Sequence, residues 1–355
     1  MISAEILKRS KELKKNASKI FGLLLLGTIS FFCTPIFAFQ IDRTVDLKFT
    51  LIGTPIFYKE SLYSFTDQKE FKKLSLSGQE IWKIQKLPEA ISDVSIWFNK
   101  IFFVEKNGGL SCYDADYGFR LWDKFDLNIE SIRQSYPLLL FKTKTNQIGC
   151  LDITSGHLIW VRQESRPIDH FLTLPNSLVL LSGSQLTVSK LFSGEPLSSK
   201  IITGNITAMV AGTDNALLFK IKNKLGLYYL PTSKLVMSPI IWTENCQIFS
   251  NRFFISKELG CWKTMDCETG KKLWEIPVTP SETESIFELP KGAVAMTSDK
   301  KVILYSLETG KKIGDAIQFP RHETTKPLIS FKTDNLIGIV EPKRITYLSP
   351  EKKEN

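Results

Sequence analysis

The sequence predicts an all-β chain folded as an eight-bladed β-propeller, and three observations predict it. A phrase recurs, DADYGFRLW from Asp114, DITSGHLIW from Asp152 and DCETGKKLW from Asp266: an Asp, a Gly four residues on, a Trp four further. Its copies return every 36 to 42 residues, a period that belongs to stacked supersecondary units. The 355-residue chain, 43% hydrophobic, is rich in Ile, Leu, Val, Thr, Ser and Phe but poor in Ala after residue 40, a strand-forming composition. Seven blades is the fallback.

The first 38 residues stand apart. Lys8, Arg9, Lys11, Lys14, Lys15 and Lys19 precede the apolar run IFGLLLLGTISFFCTPIFA (20–38). A basic start, an apolar middle and a small residue at the end read as a secretory signal cleaved after Ala38, or as an uncleaved anchor. Cys33 is a candidate for lipidation, although the preceding ISFF lacks the small residues such a site wants. The remainder is expected to be exported to the periplasm, with membrane association through this segment.

The next element is TVDLKFTL (44–51). Val45, Leu47, Phe49 and Leu51 alternate with Asp46, Lys48 and Thr50, the pattern of a half-buried strand. The repeats follow, each in the same order. An apolar run such as SLVLLSG comes first. A turn-former stands ten or eleven residues before the Gly: Asp67, Asn107, Asn146, Gly183, Asn223, Asp299 or Pro342, with Lys257 and Glu258 in a longer sixth turn. An alternating strand such as QIGCLD leads to the Gly turn, and an outer strand ends the unit.

The Gly anchors are Gly78, Gly118, Gly156, Gly194, Gly270 and Gly310, with Lys234 and Lys352 in two worn copies. The eighth copy stops before its outer strand, whereas 44–51 has no partner. The N-terminal strand is therefore expected to close the ring, giving one propeller domain over 41–352 and a tail at 353–355.

One packing problem explains the phrase. The Gly takes a positive φ at a hairpin turn, where a β-carbon is penalised. The Asp, and the Thr or Ser before the Gly, accept turn amides. Trp82, Trp122, Trp160 and Trp274 lie on outer strands and cover the neighbouring repeat. Small or medium side chains six residues before the anchor, Cys112, Cys150, Thr264 and Leu304, suit close packing of sheet on sheet.

Chemistry is sparse. Residues 1–38 carry +4 of the formal +9, and the remaining +5 reads as spread along the chain, with no aromatic-interleaved basic patch for nucleic acid. His157, His170 and His322 lack metal-ligand spacing. No nucleophile motif or phosphate-binding Gly loop is present, and GNIT at Asn205 is a glycosylation tripeptide common by chance. Cys112, Cys150, Cys246, Cys261 and Cys267 read as free buried thiols, with a Cys246–Cys261 bridge across neighbouring strands as the alternative.

CLDITSGHLIW and TMDCETGKKLW resemble the A-L-D-x-x-T-G-x-x-x-W repeat of the quinoprotein-type propellers, with Cys or Thr in place of the Ala. The resemblance spans nearly the whole exported chain and implies one of two functions. The pyrroloquinoline-quinone dehydrogenases of this group use vicinal cysteines, calcium-binding carboxylates and a catalytic Asp. This chain has no adjacent cysteines, and its repeated Asp114, Asp152 and Asp266 already have a turn role. The BamB-like group is non-enzymatic and serves the outer-membrane β-barrel assembly machinery; size and blade count match it better.

The expectation is thus a periplasmic interaction scaffold for envelope proteins, without catalytic, cofactor or metal residues. A quinone dehydrogenase and an envelope ligand-binding or sensing propeller are the alternatives. The polar stretches RQESRPIDH (162–170) and PRHETTKP (320–327) are candidate contact loops, with ordinary solvated loops the competing reading.

Overall fold

A computed structural model describes residues 39–350 apart from 86, 88–89, 203–205, 213–215, 223, 233, 242–245, 250–252, 259, 268, 278–284, 290–291, 298–300, 319–328 and 333–336. The leader-or-anchor expectation, Cys33, Asn205, His322, the stretch 320–327 and the 353–355 tail lie outside the described residues. The described chain forms eight four-stranded antiparallel sheets. Blades 1 to 7 span 51–84, 91–124, 129–163, 170–201, 206–241, 246–277 and 285–318, each with its strands in chain order from the axis outward. Blade 8 takes three strands from 329–350 and its fourth, Phe39–Asp46, from the N-terminus. The innermost strand of blade 8 touches that of blade 1, which completes the ring.

Ring closure by the N-terminus is as expected, but the closing strand is not 44–51. Phe39–Asp46 pairs antiparallel with Arg344–Pro350, from Phe39 opposite Pro350 to Asp46 opposite Arg344. A separate strand, Leu51–Tyr58, is the innermost of blade 1. The chain must pass between them from the rim of one blade to the axis of the next, so 47–50 leaves the ladder. Leu47 N and Leu51 N instead donate to Lys343 O and Pro342 O. The alternation still reported burial correctly, since Val45, Leu47, Phe49 and Leu51 all pack in one cluster with Leu62, Leu74, Val340, Ile345 and Tyr347.

The core is a series of such clusters, each drawn from two consecutive blades. Blades 3 and 4 share one built on Leu138, Leu140, Ile148 and Cys150 from one side and Phe171, Leu178, Leu180 and Leu191 from the other. Fully burying each such Leu or Phe contributes about 1.5–3 kcal/mol, so the seams between blades hold the ring together.

Blade 1 departs from this apolar rule. Register places Lys73, opposite Trp82, where blades 2 and 3 have Cys112 and Cys150. Lys73 Nζ donates to Ala115 O at 3.1 Å and Asp116 Oδ1 at 3.3 Å in blade 2. Lys72, also buried, pairs with Glu70 and Glu80, each at 2.9 Å, and Lys83 reaches Glu70 at 2.9 Å. Hydrogen bonds from Lys83 and Lys72 hold the Glu70 carboxyl down at about 2. A carboxyl depressed in the folded state adds stability above its unfolded value, and that stability disappears as pH falls towards 2. The gap in urea midpoint between wild type and Glu70→Gln is therefore expected to be full at pH 6 and to narrow progressively from about pH 5 to pH 2. An unchanged gap at pH 3 would remove Glu70 from the account of acid stability.

Candidate functional site

The seam between blades is where the repeat phrase acts. A Cβ placed on Gly118, Gly156, Gly194 or Gly310 would lie 2.7–2.8 Å from Trp82, Trp122, Trp160 or Trp274, the Trp of the preceding blade in each case. Each Gly has φ between 66° and 74° and donates its N–H to the carbonyl four residues earlier. Asp152 Oδ1 accepts the amides of Thr154 and Ser155 at 3.0 and 2.7 Å, and Asp114 those of Asp116 and Tyr117. Hydrogen bonds from Ser155 hold the Asp152 carboxyl below its ordinary value, as an ionised turn acceptor. Trp160 and Trp274 donate Nε1–H to Leu191 O (3.2 Å) and Leu307 O (2.7 Å), three residues before the next Gly. At Trp82 the equivalent Ala115 O already accepts Tyr63 Oη and Lys73 Nζ, and the indole N–H is left without a partner.

Register then identifies the residue at this position in every blade. It is Trp82, Trp122, Trp160 and Trp274 in blades 1, 2, 3 and 6, Val236 in blade 5, Ile313 in blade 7 and Val45 at the closing strand. In blade 4 it is Ser198, opposite Val188. The residue at this position is apolar in seven blades and a hydroxyl in one. The fifth copy's anchor also needs correction. Leu227 packs towards blade 6 whereas Tyr228 packs towards blade 4, the reverse of the facing that an anchor at Lys234 requires. Lys234 begins the outer strand Lys234–Ile241 and has no left-handed φ.

The seam at Ser198 is open. A cavity of 490 Å³ lies between blades 4 and 5, its lining including apolar Leu174, Val188 and Leu230 and polar Asn176 and Ser198. The adjoining outer strand Pro196–Ile201 is exposed at all six residues, with Leu197 at 56% and Ile201 at 81%. The charge is uneven as well. Residues 170–241 carry six lysines against Glu195 and Asp214, so blades 4 and 5 hold +4 of the +5 that follows residue 38. The surplus expected to be spread along the chain is thus weighted towards the single stretch 170–241.

A second exposed feature lies on the side of the ring that carries the inner-strand turns. Phe98 and Tyr136 are 49% and 53% exposed, their rings stacked at 3.6 Å, with Trp97 at 6.3 Å from Tyr136. Phe98 and Asn99 both have positive φ, 50° and 62°, in the two-residue turn between Ile91–Trp97 and Lys100–Glu105. A bulky residue in that conformation costs about 1–2 kcal/mol, and such strain gathers at functional positions. Asn99 is held by Tyr58 Oη at its N–H (2.9 Å) and by Asp116 at its amide (2.6 Å).

The structure does not gather the candidate residues named from the sequence into a site. His157 lies in an exposed turn, and His170 Nε2 sits 3.3 Å from Thr207 O. Arg162 and Gln163 end a strand and His170 begins one, so the 162–170 loop is only 164–169. Arg162 ties blade 3 to blade 4, pairing with Glu164 at 2.6 Å and donating to Gly194 O and to Ser189 Oγ. Cys261 is free, so the Cys246–Cys261 bridge is not made. Burial pushes the Cys112 and Cys150 thiols up to about 12, far from nucleophilic ionisation. Among the described residues no group of His, Cys, Asp or Glu could hold a metal ion.

No family model matches the chain. Among curated proteins it is 23% identical over 241 residues to the mitochondrial amino-acid acetyltransferase of Kluyveromyces lactis, covering 68% of this chain and 38% of that protein. The chain thus spans well under half the length of that relative. Solved structures resemble it in fold. BamB from Moraxella catarrhalis superposes with a TM-score of 0.58 at 15% identity, over 88% of this chain and all of BamB. The designed protein Ika8 gives 0.66 at 15% over 86% and 99% of the two chains, and the WD40 domain of SCAP from fission yeast 0.60 at 11% over 90% and 99%. At these identities the likeness is one of architecture alone: an eight-bladed β-propeller.

Proposed function

We propose that this chain is a non-enzymatic interaction scaffold of the cell envelope, BamB-like in role, which holds a partner protein against the side of the ring carrying the inner-strand turns. The observation that carries this reading is the exposed Phe98–Tyr136 stack, mounted on a turn that keeps Phe98 in a strained left-handed conformation. Aromatic anchors with low side-chain entropy supply much of the binding energy at protein interfaces. The fold likeness to BamB and the repeat phrase support the envelope setting, and the basic, apolar N-terminal segment supports export.

Affinity capture from envelope extracts tests the proposal, with Phe98→Asn/Tyr136→Ser as the probe. Asn tolerates a positive φ, so the double variant is expected to keep its thermal midpoint within a few degrees. Wild type is expected to recover envelope proteins, the barrel-assembly machinery first among them, and the variant at least tenfold less. Equal recovery by both chains would sink the assigned surface. Cofactor- and calcium-dependent dye reduction by the purified chain would instead establish a quinone enzyme.

A further inference from the structure

We infer that the open seam between blades 4 and 5 is a docking slot for an extended, acidic segment of a partner protein that inserts one aromatic side chain, an inference that deepens the scaffold reading and rests on it. The chain supplies its own template for the occupant. At four seams an indole lies against the next blade's Gly turn, and at the closing seam Val45 does, while blades 5 and 7 carry Val236 and Ile313 at the same register position. Ser198 is the small hydroxyl in this series, and the 490 Å³ cavity beside it exceeds the volume of a Trp side chain.

The surroundings match an indole in kind. Leu174, Val188 and Leu230 give apolar lining, and Asn176 and Ser198 give polar groups beside it. Leu230 occupies the place of Leu191 and Leu307, whose carbonyls accept the indole N–H in blades 3 and 6. An aromatic side chain arriving from outside would find, at Leu230, a residue in the place that serves Trp160 and Trp274. The fully exposed strand Pro196–Ile201 gives an extended segment a sheet edge to lie along.

Charge selects the sequence around the aromatic residue. Blades 4 and 5 hold six lysines against two carboxylates, while the rest of the ring is close to neutral. Lys200 and Lys234 are exposed on the two outer strands that flank the slot. A segment carrying Asp or Glu on either side of its aromatic residue complements this sector, and a basic segment is repelled.

The test uses a short fluorescein-labelled peptide of β-branched and acidic residues around one central Trp. Binding to the wild-type chain is expected, weakening at least tenfold when Ala replaces the Trp, and again when Lys replaces the acidic residues. Ser198→Trp fills the slot from within. It is expected to raise the thermal midpoint and to weaken peptide binding at least tenfold. A measurement on the unaltered chain guards against a misfolded variant: a photo-reactive benzophenone in place of the indole is expected to cross-link to residues 174–177 or 230–231. Cross-links elsewhere, or equal binding by Ser198→Trp, overturn the assignment, as does a concentration-dependent dimer that disappears in Ser198→Trp. If envelope capture succeeds equally with wild type and Ser198→Trp, the scaffold reading stands and the slot assignment falls.

Discussion

A chain lacking residues 39–46 is expected to lose about 5 kcal/mol of stability and to aggregate on concentration. The deletion removes the whole ladder from Phe39–Pro350 to Asp46–Arg344. It also removes Val45, whose Cγ1 covers the Gly78 turn of blade 1, and the Arg43 guanidinium, 4.8 Å from the Tyr347 ring. Ile345 and Leu348, wholly buried in the intact ring, would then sit on an uncovered edge. Gaining back the conformational freedom of the eight deleted residues offsets part of this loss but cannot repair the edge.

A converse variant isolates ring closure from strand loss. Thr44 lies directly opposite Thr346, and opposed residues of an antiparallel pair are about 4.5–5.5 Å apart at Cα, within disulfide range. Thr44→Cys/Thr346→Cys is expected to raise the urea midpoint when oxidised and to return to the wild-type value on reduction. Closing so long a loop is worth up to about 5 kcal/mol in the chain-entropy account. A truncated chain that melts like the intact one, together with a disulfide that changes nothing, would mean the seam at Phe39–Asp46 does not hold the ring.

Much of this architecture was legible in the sequence because a repeat repeats its reasons. The Asp, Gly and Trp of the phrase each answer a local demand, and the structure shows all three answering it at Asp152, Gly156 and Trp160. Legibility failed where an element answers to a distant one. Nothing local in 44–51 shows that Asp46 ends one blade and Leu51 begins another, since that break is imposed by passage from rim to axis. The fifth anchor was misplaced at Lys234 because only the opposite facing of Leu227 and Tyr228, a contact with two other blades, reveals the register of that strand. Lys73 was unreadable as a core residue because its partners, Ala115 O and Asp116, lie on the next blade. The open seam did leave a trace: a Ser four residues after Gly194, where Trp stands after Gly78, Gly118, Gly156 and Gly270. A missing residue acquires meaning only once its neighbours are known to fill a space.

Substituting two glycines of identical conformation should cost very different amounts. Gly156 and Gly270 both have φ of 69° and both donate to the carbonyl four residues earlier, at 2.9 and 2.8 Å. A Cβ on Gly156 would stand 2.7 Å from Trp122 Cδ2, part of a rigid ring that is itself packed in the blade 2–3 cluster. A Cβ on Gly270 meets only Leu227 and Tyr229 at 3.7 Å, ordinary contact, because Val236 stands where the Trp would be. Backbone strain alone costs about 1–2 kcal/mol at either site, and overpacking adds about 1–3 kcal/mol at Gly156 only.

Gly156→Ala is therefore expected to destabilise by about 4 kcal/mol and Gly270→Ala by about 1.5 kcal/mol, measured by urea unfolding. The double variant Gly156→Ala/Trp122→Ala separates the two contributions. With the indole gone, the added cost of Gly156→Ala should fall to the value found at Gly270, a coupling of about 2 kcal/mol. Equal costs at the two glycines would mean that backbone conformation alone dictates the anchor residue along the ring. A large difference that survives removal of Trp122 would point to the turn itself. A cost difference that vanishes with the indole makes the Trp–Gly contact the element that spaces one blade from the next at the four seams that have it.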